Sequence, residues 1–124
     1  MSRLSGKQAA ERKGRIAETI AAVLLMLKGY RIIARRVQTP AGEIDLIAKR
    51  CQTVVFVEVK ARDEVHAALD AFTPRQQARI ARAAEGWTAR NTACAAYDKR
   101  IDMIAITPWR WPVHIANAVG VKHP

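Results

Sequence analysis

Residues 43–60, EIDLIAKRCQTVVFVEVK, constrain the fold more than any other stretch of the chain. Two apolar runs separated by the short polar connection KRCQT predict two strands joined as a hairpin. The second run, residues 53–61, is rich in β-branched side chains, which is typical of a central strand. Four charged residues interrupt these runs: Glu43, Asp45, Glu58 and Lys60. A charge buried in a sheet without a partner is costly, so these residues need partners or a function.

The pattern along the rest of the chain predicts an α/β fold in which helices flank a mixed sheet of four to five strands. Gly29 ends an apolar first helix, and Thr73 followed by Pro74 starts a second one. The connection through this second helix is long enough for the third and fourth strands to run parallel. The length favours a single domain of residues 1–124. In chain order the predicted elements are helix 7–28, strands 30–37, 43–49 and 53–61, helix 73–91, and strands 100–107 and 113–116.

The charge of the chain is strongly positive and unevenly distributed. The net charge is +10, and the sequence pI is near 10.5. Residues 1–40 contain nine Lys or Arg against two acidic residues, and residues 71–124 contain eight against three. Only residues 41–70 have an acidic excess, with six acidic residues against four basic ones. This distribution favours an anionic partner, most often nucleic acid, although solubility alone also accounts for part of it.

The sequence favours a cytoplasmic location. Its longest apolar run, residues 20–27, is far shorter than the ~20 residues that span a bilayer. The first 15 residues are polar and basic, unlike a secretory signal. Cys51 and Cys94 form no disulfide or metal-binding pattern, which is typical of two buried thiols in a reducing compartment. We therefore expect a cytoplasmic protein that has no membrane partner.

The alternation of side chains along a strand assigns the interrupting charges to faces of the sheet. Glu58 and Lys60 project from one face of their strand. In the preceding strand the alternation puts Glu43, Asp45 and Ile47 on one face and Ile44, Leu46 and Ala48 on the other. If the two strands pair through residues 49–53, one register brings Asp45 beside Glu58.

Two carboxylates that lie side by side need a counter-charge. At roughly 4 Å they repel by about 4 kcal/mol at an effective dielectric constant near 20, so the pair persists when it holds a cation or shares a proton. A hard divalent ion such as Mg²⁺ or Mn²⁺ suits carboxylate oxygens and keeps bound waters for chemistry. Lys60 could then orient or deprotonate a metal-activated water, or stabilise charge on a phosphate. These parts fit phosphodiester hydrolysis; the alternative is a Glu-x-Lys pair on the solvated face of an antiparallel sheet.

The helices and one loop offer further candidate residues. Glu18 has small and apolar helical neighbours, which are compatible equally with a place in the site and with an exposed acid that balances Arg15. Gln77 lies on the sheet-facing side of the second helix, where a satisfied amide is the alternative to a catalytic group. Trp109 and Trp111 are expected to cover the edge of the core, with stacking on bases or a partner as the alternative. Three arginines form a stripe along the second helix: Arg75, Arg79 and Arg82. This stripe predicts either a solvated helix face or a contact with DNA.

Two segments carry a specific family resemblance. GEIDLIA at 42–48 followed by VFVEVKAR at 55–62 resembles the YraN-like proteins, an uncharacterised bacterial family of the restriction-endonuclease-like superfamily. Weaker similarity extends over nearly the whole chain, as far as HIANA at 114–118. The chain departs from the superfamily motif at Ile44, where the motif has a proline, and from the family at residues 35–37, where YraN-like proteins usually carry an asparagine.

The resemblance implies a restriction-endonuclease-like fold, similar to that of the archaeal-type Holliday-junction resolvases. It implies roles for four matched residues: Asp45 and Glu58 as metal ligands, Lys60 as the catalytic lysine, and Glu18 as a helical acid that also binds the metal. A catalytic glutamine on the helix after the motif would be Gln77 or Gln76. The expected nucleic-acid-binding residues lie beside the motif and on that helix: Arg62, Arg75, Arg79 and Arg82.

The function expected from these residues is an Mg²⁺- or Mn²⁺-dependent endonuclease that hydrolyses phosphodiester bonds in DNA, with branched DNA among its candidate substrates. The alternative is a nucleic-acid-binding protein that keeps the nuclease fold without catalysis, since a shared fold does not establish an activity. A third hypothesis is an interaction protein whose basic surface binds an acidic protein or RNA. Because the chain is short, it has little room for a separate specificity domain. Recognition of the substrate would therefore depend on DNA shape, on a homodimer or on a partner.

Overall fold

The structure, a computed structural model, describes residues 5–119. Its elements in chain order are α1 (Gly6–Leu27), β1 (Arg31–Thr39), β2 (Gly42–Arg50), β3 (Thr53–Ala61), α2 (Val65–Ala71), α3 (Pro74–Arg90), a 3₁₀ turn (Thr92–Cys94), β4 (Asp98–Ile106) and β5 (Val113–Ile115). The five strands form one sheet in the order β1-β2-β3-β4-β5. Strands β3 and β4 run parallel, and the other neighbours are antiparallel. The predicted α/β fold with a mixed, helix-flanked sheet is confirmed.

Capping interactions define the ends of the two long helices. Ser5 accepts a hydrogen bond from the backbone N–H of Gln8 and donates its own N–H to the Gln8 side chain, which starts α1. Gly29 follows α1 with a φ of 89°, a conformation that favours glycine. Thr73 caps α3, and Pro74 occupies its first helical position. Among the described residues, no helix is long and apolar enough to cross a membrane.

The short helix α2 lies where the sequence predicts no element. It has seven residues, too few for a helical period to stand out, and Glu64 at its start makes no capping hydrogen bond through its side chain. Its buried Ala68, together with Phe72 just beyond its end, packs into the core under α3. The helix is therefore held by tertiary packing rather than by local signals.

Two apolar clusters cover the two faces of the sheet. On one face, α1 packs through Leu25 and its neighbours against β2, β3 and β4. On the other face, α3 buries Ile80 and Trp87, and Trp87 meets Phe56 edge-on with 5.7 Å between ring centroids. Strand β3 contributes to both clusters and is buried from Val54 to Glu58, as expected for a central strand.

The alternation predicted for β2 fails at Asp45. Ile44 packs with Ile47 in the cluster under α3, whereas Leu46 belongs to the cluster under α1. The prediction that Ile44 shares a face with Leu46 is therefore wrong. The cause lies at the pair of Arg36 and Asp45: Arg36 has a φ of 52°, so the backbone turns over there while the register stays the same on both sides. The register shift in this ladder lies elsewhere, between Ile32 and Ala34.

Two predictions about exposure are also wrong. Cys51 is exposed because it lies in the two-residue turn between β2 and β3, with a φ of 54°, and Cys94 is half-buried. Both are free thiols. Trp109 and Trp111 do not cover the edge of the core, since Trp109 is fully exposed and Trp111 is 80% exposed on the loop between β4 and β5.

Candidate functional site

An opening between β2 and β3 brings predicted site residues together. The ladder between the two strands ends at the pair Leu46–Val57. Asp45 and Glu58 occupy the next position, where the strands separate. The backbone N–H of Val59 donates to Oδ2 of Asp45 at 2.8 Å. A carboxylate oxygen thus serves as the acceptor that a backbone carbonyl provides elsewhere in the ladder.

A cleft of about 370 Å³ lies between this opening and α1. Its α1 wall includes the small residues Ala10, Gly14 and Ala17, which let the helix approach the end of the sheet closely. Lys13 and Arg62, both exposed, contribute positive charge to its lining. Three predicted metal ligands also line the cleft: Glu18, Asp45 and Glu58.

The first of these acids, Glu18, is buried and already has a cationic partner. The Nε of Arg36 donates to its Oε1 at 2.7 Å, and this hydrogen bond raises the pKa of Arg36 above its usual value. The alternative of an exposed acid that balances Arg15 therefore does not hold. Arg36 lies in the segment where YraN-like proteins usually carry an asparagine, and asparagine adopts a positive φ more readily than arginine does.

Glu43 belongs to the same group of acids, although the family resemblance implied no role for it. One carboxylate oxygen from each of Glu18, Glu43 and Asp45 lies within 4.8 Å of the other two. Glu43 is exposed and accepts a hydrogen bond from Gln38. The signal that could have identified it is its position two residues before Asp45, because residues i and i+2 of a strand project to the same face.

The surroundings of Asp45 disfavour a negative charge. Burial raises the pKa of Asp45, and the carboxylate of Glu58 raises it further, to about 7, even though the hydrogen bond from Val59 acts in the opposite direction. At neutral pH the cleft is therefore suited to a proton on Asp45 or to a cation beside it. Carboxylate oxygens are the preferred ligands of hard divalent ions. The residues that could hold such an ion are the three whose oxygens lie close together, Glu18, Glu43 and Asp45, with Glu58 as a further carboxylate of the cleft lining.

The Glu-x-Lys pair of β3 is an ion pair rather than a solvated face. The Nζ of Lys60 lies 3.0 Å from Oε2 of Glu58, and the two residues are only 9% and 7% exposed. Their burial rules out the alternative of an exposed antiparallel face. The pair places a positive charge directly beside one of the three cleft carboxylates, although Lys60 itself is not part of the cleft lining.

The glutamines of α3 make other contacts. The side-chain N–H of Gln77 donates to the carbonyl oxygen of Phe72 at 2.8 Å, and Gln77 is not part of the cleft lining. The buried Oε1 of Gln76 has no hydrogen-bond partner among the described residues. The structure thus brings together the acids of α1, β2 and β3 and leaves the candidate glutamines outside the cleft.

The predicted nucleic-acid-binding arginines fall into two groups. Arg62 lines the cleft, whereas Arg75, Arg79 and Arg82 are exposed on α3, which covers the opposite face of the sheet from α1. Arg79 also packs over Gly42. A Cβ at position 42 would lie 2.9 Å from Cδ of Arg79, and the φ of 140° at Gly42 is one that residues with a side chain rarely adopt. The two groups of arginines therefore lie on different sides of the sheet.

Asp102 on β4 is a further buried carboxylate that lies outside the cleft lining, and the sequence pattern did not identify it as a candidate. Arg100 donates to both of its oxygens at 2.8 Å, Nε2 of His114 lies 2.8 Å away, and the backbone N–H of Asn117 donates at 2.8 Å. Burial alone would raise the pKa of Asp102, but these hydrogen bonds overcome that effect and lower it to about 2. The contacts of His114 and Asn117 with Asp102 join β5 and the residues after it to β4, so Asp102 has a structural role. Its sequence signal was the same as that of Asp45, an acid inside an apolar strand.

Fold and cleft together define an α/β protein with a carboxylate and lysine site where two central strands of a mixed sheet separate. Residues 17–106 match the uncharacterised protein family UPF0102. Because this match spans most of the chain, the protein belongs to the UPF0102 family, which is the YraN-like family expected from its motifs.

Close relatives match almost the full chain. The UPF0102 protein mlr4633 of Mesorhizobium japonicum is 50% identical over 114 residues, which cover 92% of this chain and 91% of the relative. A UPF0102 protein of Parvibaculum lavamentivorans is 53% identical over 110 residues, with coverage of 89% and 83%. A UPF0102 protein of Chelativorans sp. is 49% identical over 121 residues, with coverage of 98% and 97%. These names identify a family and state no activity.

Proposed function

We propose that this protein is a metal-dependent endonuclease that hydrolyses phosphodiester bonds in DNA. The observation that carries the proposal is one cleft lined by Glu18, Asp45 and Glu58, with Lys60 3.0 Å from Glu58. These acids come from three separate elements, α1, β2 and β3. A requirement for packing does not explain them, because well-packed apolar residues of similar volume are often at least as stable as buried charges.

Each group in the cleft has a task in this reaction. The ion would be held by Asp45, Glu58 and Glu18, with Glu43 as a neighbouring carboxylate. When bound, a divalent ion supplies an activated water as the nucleophile and neutralises charge on the phosphate. The ammonium group of Lys60 donates to an oxygen of the scissile phosphate and stabilises the charge that develops there. Lys13 and Arg62, which line the same cleft, bind adjacent phosphates and set the position of the DNA strand.

The proposal is tested by incubating the protein with duplex, branched and single-stranded DNAs in Mg²⁺ or Mn²⁺, with EDTA as the metal-free control. We expect Glu58→Gln and Lys60→Met to reduce the rate of cleavage by about 100-fold or more. Matched controls are Asp63→Asn and Lys7→Met, which change exposed residues outside the cleft and should leave the rate unchanged. Cleavage that survives both cleft substitutions contradicts the assigned site.

A second candidate function, nucleic-acid binding without catalysis, is favoured by a different observation. Arg36 and Lys60 already neutralise Glu18 and Glu58 through ion pairs of 2.7 and 3.0 Å. A cluster balanced in this way can exist without a metal ion. For this function we expect DNA binding that weakens steeply with salt and no heat of Mn²⁺ binding in a calorimetric titration. A heat of binding that disappears in Asp45→Asn favours the endonuclease instead.

A further inference from the structure

An exposed apolar groove runs along α1 from the acid cleft, which is the cleft lined by Glu18, Asp45 and Glu58. The α1 groove is formed by Ile16, Ile20, Val23, Leu27 and Trp111. The four helical residues are spaced by four, three and four positions, so they lie on one face of the helix. Leu27 is 74% exposed and Trp111 is 80% exposed. Exposed apolar side chains that are clustered on one surface in this way are typical of a binding site.

The α1 groove is continuous with the acid cleft through shared residues. The cleft is followed by a depression of about 270 Å³ that shares Lys13 and Arg62 with it and is bounded by Ile16 and Ile20. A third depression of about 210 Å³ shares Ile20 and ends at Trp111. From the first turns of α1 to its end, the path is about 25 Å long at 1.5 Å per helical residue. That length is comparable to the short sites of single-strand-binding grooves.

The loop that carries the exposed tryptophans leaves the sheet at the same end as the acid cleft. Strands β3 and β4 are parallel, so Ala61 and Ile106 end side by side. The backbone N–H of Arg62 donates to the carbonyl oxygen of Ile106 at 3.1 Å, which ties the start of this loop to the cleft wall. Trp109 has a φ of 65°. A bulky residue in this conformation is uncommon, and such strain is concentrated at ligand-binding positions.

The charges around the α1 groove decide between possible occupants. Arg12 and Arg15 border Ile16 and Ile20 in an adjoining depression, and Lys13 stands between the groove and the cleft. A second copy of a chain with a net charge of +10 would bring like charges together across the groove. An anionic polymer that has flat apolar faces satisfies both features, because its phosphates pair with the basic side chains and its bases stack on indole rings.

We propose that the α1 groove binds a single-stranded segment of nucleic acid, whose bases stack on Trp111 in the groove and on the exposed Trp109 of the same loop, and whose backbone continues into the acid cleft. In a duplex the bases already stack on one another and present no free faces, so the strand must be unpaired here. This inference rests on the proposed nuclease function and specifies its substrate: DNA with a single-stranded tail or branch adjacent to the bond that is cut.

The test measures binding without cleavage, in EDTA and at low salt, through the intrinsic fluorescence of the tryptophans. Oligothymidylate of twelve nucleotides is compared with a blunt duplex hairpin. Trp87 is buried and supplies a constant background, whereas Trp109 and Trp111 are exposed. We expect the single strand to quench the fluorescence and to bind about 10-fold more tightly than the duplex hairpin. The double variant Trp109→Ala/Trp111→Ala should lose the quenching and bind the single strand at least 10-fold more weakly.

Two controls separate stacking from folding defects. The double variant Trp109→Phe/Trp111→Phe keeps aromatic faces and should retain most of the affinity, and Leu69→Ala changes an exposed apolar residue on α2 and should have no effect. Equal affinity for single strand and duplex overturns the inference, as does an affinity unchanged by the alanine substitutions. It is also overturned if sedimentation shows a dimer that these substitutions dissociate, or if anionic vesicles quench the tryptophans and the oligonucleotide does not. Because the test measures binding and not cleavage, its outcomes can be interpreted even if the protein has no nuclease activity.

Discussion

The backbone N–H of Val59 on β3 donates to the carboxylate of Asp45 on β2 at 2.8 Å, at the point where the two strands separate. A buried N–H that leaves a sheet ladder needs another acceptor. Asp45 supplies one, so the hairpin can be a regular ladder up to Leu46 and Val57 and an open cleft beyond them. The same contact holds the carboxylate near Glu18 and Glu58, where its own ionisation becomes unfavourable.

Replacing Asp45 with asparagine should stabilise the protein above neutral pH. Asparagine removes the buried charge and keeps an oxygen that can accept from Val59. The folded-state pKa of Asp45, about 7, is above its ordinary value of 3.8, so the contribution of this residue to stability is fully present below pH 4 and is lost as the pH rises through 7. We expect Asp45→Asn to increase the free energy of unfolding by on the order of 2–4 kcal/mol at pH 8, and by nothing below pH 4.

This stabilisation is measured by urea unfolding in EDTA at several pH values, with Asp63→Asn as the control for loss of an exposed acid. A loss of stability in Asp45→Asn at pH 8 contradicts the argument. The same pKa makes metal binding pH-dependent, because a ligand carboxylate must lose its proton. In the wild type, Mn²⁺ affinity should therefore rise between pH 6 and 8, with release of about one proton per ion.

The ion pair of Lys60 and Glu58 should be strongly coupled. Lys60→Met leaves the buried Glu58 carboxylate without its partner at 3.0 Å, and we expect a loss of about 3–5 kcal/mol in the free energy of unfolding. Adding Glu58→Gln to this variant removes the unpaired charge and should recover most of the loss. The measurement is a double-mutant cycle by urea unfolding at neutral pH. Additive effects of the two substitutions would show that the residues do not interact.

Much of this fold could be predicted from local patterns. The bounds of β3, Thr53–Ala61, coincide with the predicted strand because its β-branched run is unambiguous. The helix ends follow from Gly29 and Thr73. The face of Ile44 could not be predicted, because strict alternation assumes regular extended backbone and the positive φ of Arg36 on the paired strand leaves no mark in the sequence pattern. Helix α2 was missed because packing, not periodicity, holds it.

The site was predictable only where charges interrupt apolar strands. That signal identified Asp45 and Glu58, whereas the small neighbours of Glu18 left its place in the site and an exposed position equally open. Alternation puts Glu43 on the face of Asp45, but its proximity to Glu18 depends on how α1 packs against the sheet, which no sequence pattern shows. Exposure of Trp111 was mispredicted because an aromatic residue near prolines fits either a core edge or a surface loop, and hydrophobicity alone does not distinguish them.

Asp102 should make the protein sensitive to acid. Its folded-state pKa of about 2 is below the ordinary value of 3.8, so its contribution to stability is present above pH 4 and is lost as the pH falls toward 2. The loss amounts to about 2 kcal/mol. In Asp102→Asn this part of the pH dependence should be absent, and the protein should be less stable at pH 7, because Arg100 and His114 lose an anionic partner. Urea unfolding from pH 2 to 7, with Asp98→Asn as an exposed control on the same strand, measures both effects.

Arg36 should compete with a divalent ion for the cleft acids. Its guanidinium pairs with Glu18 at 2.7 Å and is attracted by the carboxylates of Glu43 and Asp45. We expect Arg36→Gln to increase Mn²⁺ affinity roughly tenfold, since removal of one positive charge near the ion lowers their mutual repulsion. Arg35→Gln is the matched control, because Arg35 is exposed and donates to Thr19 instead.

Calorimetric titration of the two variants with Mn²⁺ distinguishes competition from positioning. If Arg36 instead holds Glu18 in the geometry that the ion requires, Arg36→Gln binds Mn²⁺ more weakly than the wild type does. Thermal unfolding gives an independent check. Without metal, Arg36→Gln leaves the buried Glu18 carboxylate unpaired and should lower the Tm. Addition of Mn²⁺ should raise the Tm by more in this variant than in Arg35→Gln. An equal response of both variants contradicts a place for Arg36 at the metal site.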